Sequence, residues 1–479
     1  MAWGEGQTLG ARFEEASGLG RLWHPHWKLG ASYGGFTTAL GRWRDELVPA
    51  VVRRFQRVMR RLAGRYWTRC GWCALAADGS RIEAPHTTAN EQGLGCAGRD
   101  KTAPQVFLTT LWHMGLGLPW DFRLGPGTDS ERRHLEDMLG GLPSEALLVA
   151  DAGFIGYELC GRILQAGGSF LLRVGGNVQL LTELGYYTLE RDGLVYLWPE
   201  QFRDQPPLVL RLIELNRGKQ TIYLVTNVLD PAELSDQDAS LLYEMRWGVE
   251  VFYRSYKQTL DRRTVKSRTP ATSLAEVAAT MLGLWLLGLL TVSRLLARRV
   301  DPLEWSVAKA RDAVRRAMRA PRTARRSGRG RPPRSLDRAL VQAQRDRYLR
   351  RGAKAARNYP RKKRERPPGP PKIKTATTHQ IRVANRLKQK LTLAARTALG
   401  GTPRGFAIGV PPSRFDVQPR PSKTQGVPPP QGLNDVDTTT HSGCFAGDRF
   451  RDIRRRTGSK PQRHVRLWKR RDRVQRLRL

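Results

Sequence analysis

Three carboxylates stand out by their surroundings. Asp78 follows the apolar residues 73–77, and Asp151 follows the apolar residues 146–150, so each closes what reads as a short buried strand. Catalytic groups gather at that edge of an α/β sheet, although an Asp there also serves simply to open a turn. Glu250 sits in a different pattern. At about 100° per residue, Tyr243, Arg246, Glu250 and Lys257 share one helical stripe about 60° wide, with Arg254 beside it. Leu242, Met245, Val249, Phe252, Tyr253 and Tyr256 fill the adjoining arc and would bury it against a core. The stripe is ~21 Å long, enough to follow a nucleic-acid backbone. It suits either a salt-bridged surface face or a row of cations that grips phosphates while Glu250 holds a metal.

Positioning such groups takes a sheet with helices packed on it. Apolar residues recur at helical spacing over 31–65 (Phe36, Leu40, Trp43, Leu47, Val51, Phe55, Met59, Leu62), whereas residues 1–30 are Gly-rich and aperiodic. Residues 73–78 and 81–84 predict two short strands around a Gly79-Ser80 turn. A strand over 105–112, a helix over 130–139, a strand over 146–151, a helix over 157–165 and a strand over 169–174 follow. Their alternation predicts an α/β core. Residues 177–227 break the rhythm with β-type runs such as 208–213 and 221–226, and helices resume over 241–260 and 277–293. The last of these is uncharged and near the shortest length, ~17 residues, that spans a bilayer. Thr280, Gly283 and Gly288 within it favour a buried core helix.

Charge is distributed unevenly. The chain holds 83 Lys+Arg and 43 Asp+Glu, a net of +40. Residues 301–479 contribute 48 basic and 12 acidic side chains, against 35 and 31 in the first 300. A near-neutral body thus carries a very basic tail. A polyanion is the expected partner, nucleic acid or an anionic membrane surface; a small acidic substrate needs no such field. Only 16 of the basic residues are Lys, which suits bidentate phosphate recognition and equally reflects a coding bias toward Arg. The stretch MAWGEGQTLG shows no basic region followed by an apolar one, so no secretory signal is read there. Five cysteines, an odd and low count, suit a reducing interior and a cytoplasmic, nucleoid-associated location.

The motif Tyr243-x₂-Arg246-x₃-Glu250-x₆-Lys257, with Trp247 after the arginine, resembles the signature of bacterial insertion-sequence DDE transposases of the cut-and-paste, hairpin-forming group. Asp151-Ala152-Gly153-Phe154 is similar to that family's second-aspartate motif, and Asp78-Gly79-Ser80 stands where its first aspartate belongs. The resemblance covers roughly residues 30–300. It implies an RNase H-like catalytic core interrupted by a β-rich insertion, and Mg²⁺-dependent DNA strand cleavage and strand transfer that excise and integrate an element. It further implies that Asp78, Asp151 and Glu250 are both catalytic and metal-binding, holding two Mg²⁺ ions for which Mn²⁺ substitutes. Tyr243, Arg246, Trp247, Arg254 and Lys257 would contact DNA, with Trp247 either stacking near an unpaired base or packing under the helix. The implied partners are double-stranded DNA, as terminal inverted repeats and as target, and a second copy of the chain in a homodimer on DNA; no membrane is involved. A non-catalytic nucleic-acid-binding protein derived from such an ancestor is the alternative.

The organisation expected is a helical N-terminal segment over 1–70, suited to DNA-end binding, then the catalytic core over 71–175 and 236–300 with the β-rich insertion over 176–235 between. A basic helical region over 301–395 and a disordered basic tail over 396–479 complete it. Other signals are set aside. Gly93, Gly95 and Gly98 spell a dinucleotide fingerprint without the preceding strand. Cys70-x₂-Cys73, with His86 and Cys96, lacks a second pair at zinc spacing and reads as core cysteine. Arg329-Gly330-Arg331-Pro332 matches the AT-hook core in a stretch where chance matches are frequent.

Overall fold

The computed structural model describes residues 1–24, 26, 30, 32–97, 103–189, 193–217, 220–319, 334–345 and 369–398. The Arg329–Pro332 motif and, past Ala398, the tail expected to be disordered lie outside the described residues. Two helices come first, α1 (Leu9–Trp23) and α2 (Tyr33–Ala63). The first is one that periodicity does not show. Gly10, Gly18 and Gly20 interrupt its apolar stripe, yet Thr8 caps it by accepting from Ala11 N–H (3.1 Å), and Phe13 is buried.

The sheet begins with β1 (Cys73–Glu83), β2 (Gln105–His113) and β3 (Leu118–Pro126), separated only by α3 (Thr88–Leu94), and forms an antiparallel meander. Next come α4 (Glu131–Glu136), β4 (Ala146–Ala150), α5 (Tyr157–Gln165) and β5 (Ser169–Val174), with β4 and β5 parallel to β1. These five strands lie in the order β3-β2-β1-β4-β5. The predicted turn at Gly79-Ser80 is absent: both residues sit inside β1, paired with Thr109 and Leu108. Gly79 is needed there for space, not for a turn. A Cβ on it would lie 2.7 Å from Glu131 Oε2 and 2.8 Å from the Phe107 ring.

The β-type runs after residue 176 become β6 (Gln179–Thr182), β7 (Leu194–Leu197), β8 (Leu208–Arg217) and β9 (Gln220–Thr226). They extend the same sheet, because β9 pairs antiparallel with β5. Helices α6 (Asp236–Met245), α7 (Trp247–Arg254), α8 (Pro270–Ala297), α9 (Val307–Arg319) and α10 (Arg334–Val341) follow. Within the region expected to be only helical, β10 (Lys372–Thr375) adds a parallel edge strand to β6 before α11 (Thr378–Ala398). All four residues of β10 are exposed, and a Lys-Ile-Lys-Thr run this short carries too little pattern for a sequence reading to detect.

The long apolar helix α8 runs through the interior. Thr269 caps it and Pro270 occupies its first turn, and Val277, Met281, Leu284, Trp285 and Val292 are enclosed. Its most apolar stretch is 67% buried inside the protein. Gly288 lets Trp305 approach, since a Cβ there would lie 3.2 Å from the indole. Among the described residues, Cys70, Cys73, His86 and Cys96 do not come together as a group of three able to hold an ion.

Candidate active site

The sheet register decides where the two aspartates lie. The last parallel pair between β1 and β4 is Ala76 with Val149. Two residues further along each strand are Asp78 and Asp151. Continued for two residues, that register brings Asp78 and Asp151 to about the same level of adjacent strands, roughly one interstrand spacing (~4.8 Å) apart. Asp151 closes its strand as the sequence predicts, but Asp78 does not: β1 continues past it for five residues, paired to β2 and bridged at Glu83 to Thr264. Asp78 instead marks where β4 ends beside β1. Beyond β4 the chain turns at once, and Gly153 N–H donates to Asp151 Oδ1 (2.8 Å).

Glu250 arrives on α7. Sequence periodicity predicts one continuous helix over 241–260; the structure interrupts it twice. Arg246 separates α6 from α7, and residues Ser255–Thr259 widen into a π turn closed by Leu260 N–H to Ser255 C=O (3.0 Å). Such single π turns recur at functional sites. Arg246 Nη2 donates to Glu250 Oε1 (3.3 Å), and its guanidinium carbon lies 5.6 Å from the centre of the Tyr243 ring. Arg246 is only 12% exposed, and its Nε is buried without a partner.

Electrostatics ties the strands to the helix. Burial raises the Asp78 carboxyl to about 7; Arg246 opposes that shift, while Glu250 and Asp151 add to it. Burial likewise raises Glu250, against the pull of Arg246 and Arg254 and with Asp151 adding to the rise. Burial works against the charge of Arg246, but Tyr243, Glu250, Asp78 and Asp151 more than offset it and hold the guanidinium above its ordinary range. All three carboxylates thus act on one buried cation. Within the π turn, burial and then Arg263 lower the Lys257 ammonium, with Glu83 and Asp78 opposing. Among the predicted contact residues, Tyr243, Arg246 and Arg254 gather at Glu250, and Lys257 lies in the field of Asp78. Trp247 is half-buried at the start of α7 and makes no hydrogen bond or ring contact among the described residues. The three acids do not close around a single point: no group of three among the described residues is placed to hold one ion, and Glu250 is turned onto Arg246.

Three residues that periodicity treats as core or spacer prove to position the site. Tyr253 Oη donates to the backbone carbonyl of Asp78 (2.7 Å), which pins α7 to β1 at the residue that matters. Gly248 lets α7 lie directly on the Trp112 ring of β2, where any Cβ would collide with the indole. Glu131, at the start of α4, projects a carboxylate beside both strand-borne motifs. Its Oε1 and Asp151 Oδ1 are each 3.0 Å from the place a Gly153 Cβ would take. Burial raises the Glu131 carboxyl, and Asp151 adds to the rise. None of the three lies in the Asp-Gly-Ser or Asp-Ala-Gly motifs, whose glycines, Gly79 and Gly153, make room for Glu131.

Comparison with known proteins bears on this arrangement. Residues 71–286 match the model of the transposase DDE domain. That span takes in all eight predicted site residues, from Asp78 to Lys257. Transposase InsG for insertion sequence element IS4 from Escherichia coli (strain K12) is 26% identical over 220 residues, 43% of this chain and 49% of that protein. The chain thus matches about half the length of this curated relative. Among solved structures, a piggyBac transposase synaptic complex with hairpin DNA aligns over 60% of this chain and 62% of that one, at 10% identity and a TM-score of 0.35. The DDE and insertion-sequence resemblance read from the motifs is supported by the first two of these matches.

Proposed function

We propose that this protein is a DDE transposase that cleaves DNA strands at the ends of an insertion sequence and transfers them to target DNA. One observation carries the reading: the β1–β4 register sets Asp78 beside Asp151, and α7 brings Glu250 to them around Arg246. The order β3-β2-β1-β4-β5 with β2 antiparallel supports an RNase H-like core. The relative named as an IS4 transposase supports the same activity.

The donor set suits Mg²⁺. Carboxylate oxygens are the hard ligands it prefers, and Asp78, held near 7 by burial among like charges, is relieved by a nearby cation. Asp78 would face both ions, with Asp151 and Glu250 each completing one position. When bound, such ions neutralise phosphate charge and polarise the attacking and leaving oxygens. The chain's own groups do the rest. Tyr253 fixes the backbone of Asp78, and Arg246 keeps Glu250 in place while offering charge to a phosphate. Lys257 and Arg254 extend that grip along the DNA end. Arg53, Arg54, Arg57, Arg60 and Arg61 lie exposed on α2, and this face binds the flanking duplex through its backbone. Two copies act together on paired DNA ends.

The test is incubation of the full chain with the DNA that flanks its own gene, with and without Mg²⁺. Release of the element ends only with the metal, abolished in Glu250→Gln, is the expected result. DNA binding with no cleavage in Mg²⁺ or Mn²⁺ would leave the chain a non-catalytic binder.

A further inference from the structure

The loop that follows β4 is anchored by Phe154 and Ile155, both buried in the core. It runs Asp151-Ala-Gly-Phe-Ile-Gly156, with glycines at its third and last positions, and α5 begins at Gly156 without a side-chain cap. One side chain from another element also holds its backbone. Arg132 Nε donates to the carbonyl of Gly153 (2.7 Å) and its Nη2 to the carbonyl of Ile155 (2.7 Å). The same guanidinium packs where a Gly156 Cβ would be, with Nη1 3.2 Å away. Gly153 in turn donates its N–H to Asp151 Oδ1. Gly153 is therefore held on both sides, by Arg132 at its carbonyl and by Asp151 at its amide.

The helix that presents Arg132 is itself tied down. His134 is buried, with Nδ1 2.9 Å from Thr109 Oγ1 on β2 and Nε2 3.0 Å from Asp129 Oδ2. A carboxylate accepts, so Nε2 carries the proton and the Thr109 hydroxyl donates to Nδ1. Arg162 on α5 binds Glu136 at 2.6 Å from the other end. With only six residues, α4 needs these anchors to hold its orientation.

We propose that Arg132 is a positioning residue for the Asp151 carboxylate. By fixing Gly153 and Ile155 it keeps one oxygen of Asp151 on the Gly153 amide and leaves the other available to a cation. Nothing in the spacing of the acidic motifs marks this arginine, which lies nineteen residues before Asp151. The inference rests on the transposase reading, because it gives Asp151 a metal to hold.

The experiment uses the full-length chain and Mn²⁺ alone, followed by the electron-spin signal of free Mn²⁺, alongside cleavage titrated with Mg²⁺. Arg132→Ala is expected to weaken Mn²⁺ binding about tenfold, as loss of a supporting hydrogen bond around a metal site commonly does. The Mg²⁺ concentration for half-maximal cleavage should rise in parallel, with unchanged affinity for DNA. Arg132→Lys, which keeps the charge and replaces two hydrogen bonds by one, should fall between; it carries the test if the alanine variant does not fold. Unchanged Mn²⁺ affinity in the folded variants, beside a wild type whose binding is lost in Asp151→Asn, overturns the role of Arg132 alone. A wild type that binds no Mn²⁺ through Asp151 and cleaves nothing overturns the transposase reading, and this inference with it.

Discussion

The strand-borne and helix-borne halves of the site are held by different means. Asp78 and Asp151 owe their adjacency to a backbone ladder: once Ala76 pairs with Val149, the two acids have nowhere else to be. Glu250 and its cations have no such ladder. Their place depends on a break at Arg246, a π turn at 255–259, a missing Cβ at Gly248 and one tyrosine hydroxyl on the Asp78 carbonyl. A β register is set by the buried apolar pattern of a whole strand, so one substitution on a face does not shift it. A helix placed by side-chain packing moves whenever that packing changes. The helix is therefore the fragile half, and charge neutralisation by Arg246 is what joins the two.

Removing a carboxylate from either half should have the largest effect. Glu250→Gln keeps shape and hydrogen bonding but deletes an anionic ligand, so Mg²⁺-dependent cleavage is expected to fall roughly 10²–10³-fold with DNA binding retained. Asp151→Asn should do the same. Gel assays of cleavage and binding on one DNA end measure both, and wild-type rates in either variant would falsify the assignment.

Gly248→Ala separates the halves. Its methyl group meets the Trp112 ring, so α7 must shift; a cost of about 1–3 kcal/mol is typical of overpacking. Cleavage should drop while the sheet keeps its register. Denaturant melts together with cleavage rates decide the matter: full activity at lowered stability would mean that Glu250 does not depend on this contact.

Asp78→Asn sharpens the strand side through pH. The carboxyl titrates near 7 in the folded protein and near 3.8 as a free side chain. Between those values the folded state binds the extra proton, so its stabilising share is full below pH ~3.8 and is lost as pH rises through ~7. Without metal, the asparagine variant should equal the wild type near pH 4 and exceed it near pH 8, by on the order of 4 kcal/mol. Equal melting temperatures at pH 8 would show that Asp78 is better solvated than its surroundings suggest. In the wild type, cation binding should weaken as pH falls below about 7, because protons then compete for the same oxygens.

The smallest expected effect lies at the far end of the stripe. Lys257→Ala should weaken binding to a cleaved DNA end and reduce the slope of log affinity against log salt by about one. An unchanged slope with a destabilised fold would make Lys257 a partner of Glu83 and Asp78 only.

Much of this site is legible in the residues themselves. The runs at 146–150, 157–165 and 169–174 carry period and composition strong enough to name β4, α5 and β5, and the i, i+3, i+7 spacing of Tyr243, Arg246 and Glu250 places them on one helical face whatever packs beneath. Those are local properties, written in side-chain periodicity. Non-local relations were decided by the tertiary structure. Gly79-Ser80 reads as a turn because glycine and serine favour turns, yet pairing with Thr109 and Leu108 and the crowding by Phe107 and Glu131 draw it into β1. The run at 177–227 reads as a β-rich insertion, and only the structure shows that its β9 pairs with β5. Tyr253, Glu131 and Arg132 look like ordinary core and surface residues until two strands and two helices meet. Their roles are hydrogen bonds and charges across long sequence separations, and no periodicity records which distant carbonyl a hydroxyl or a guanidinium will reach.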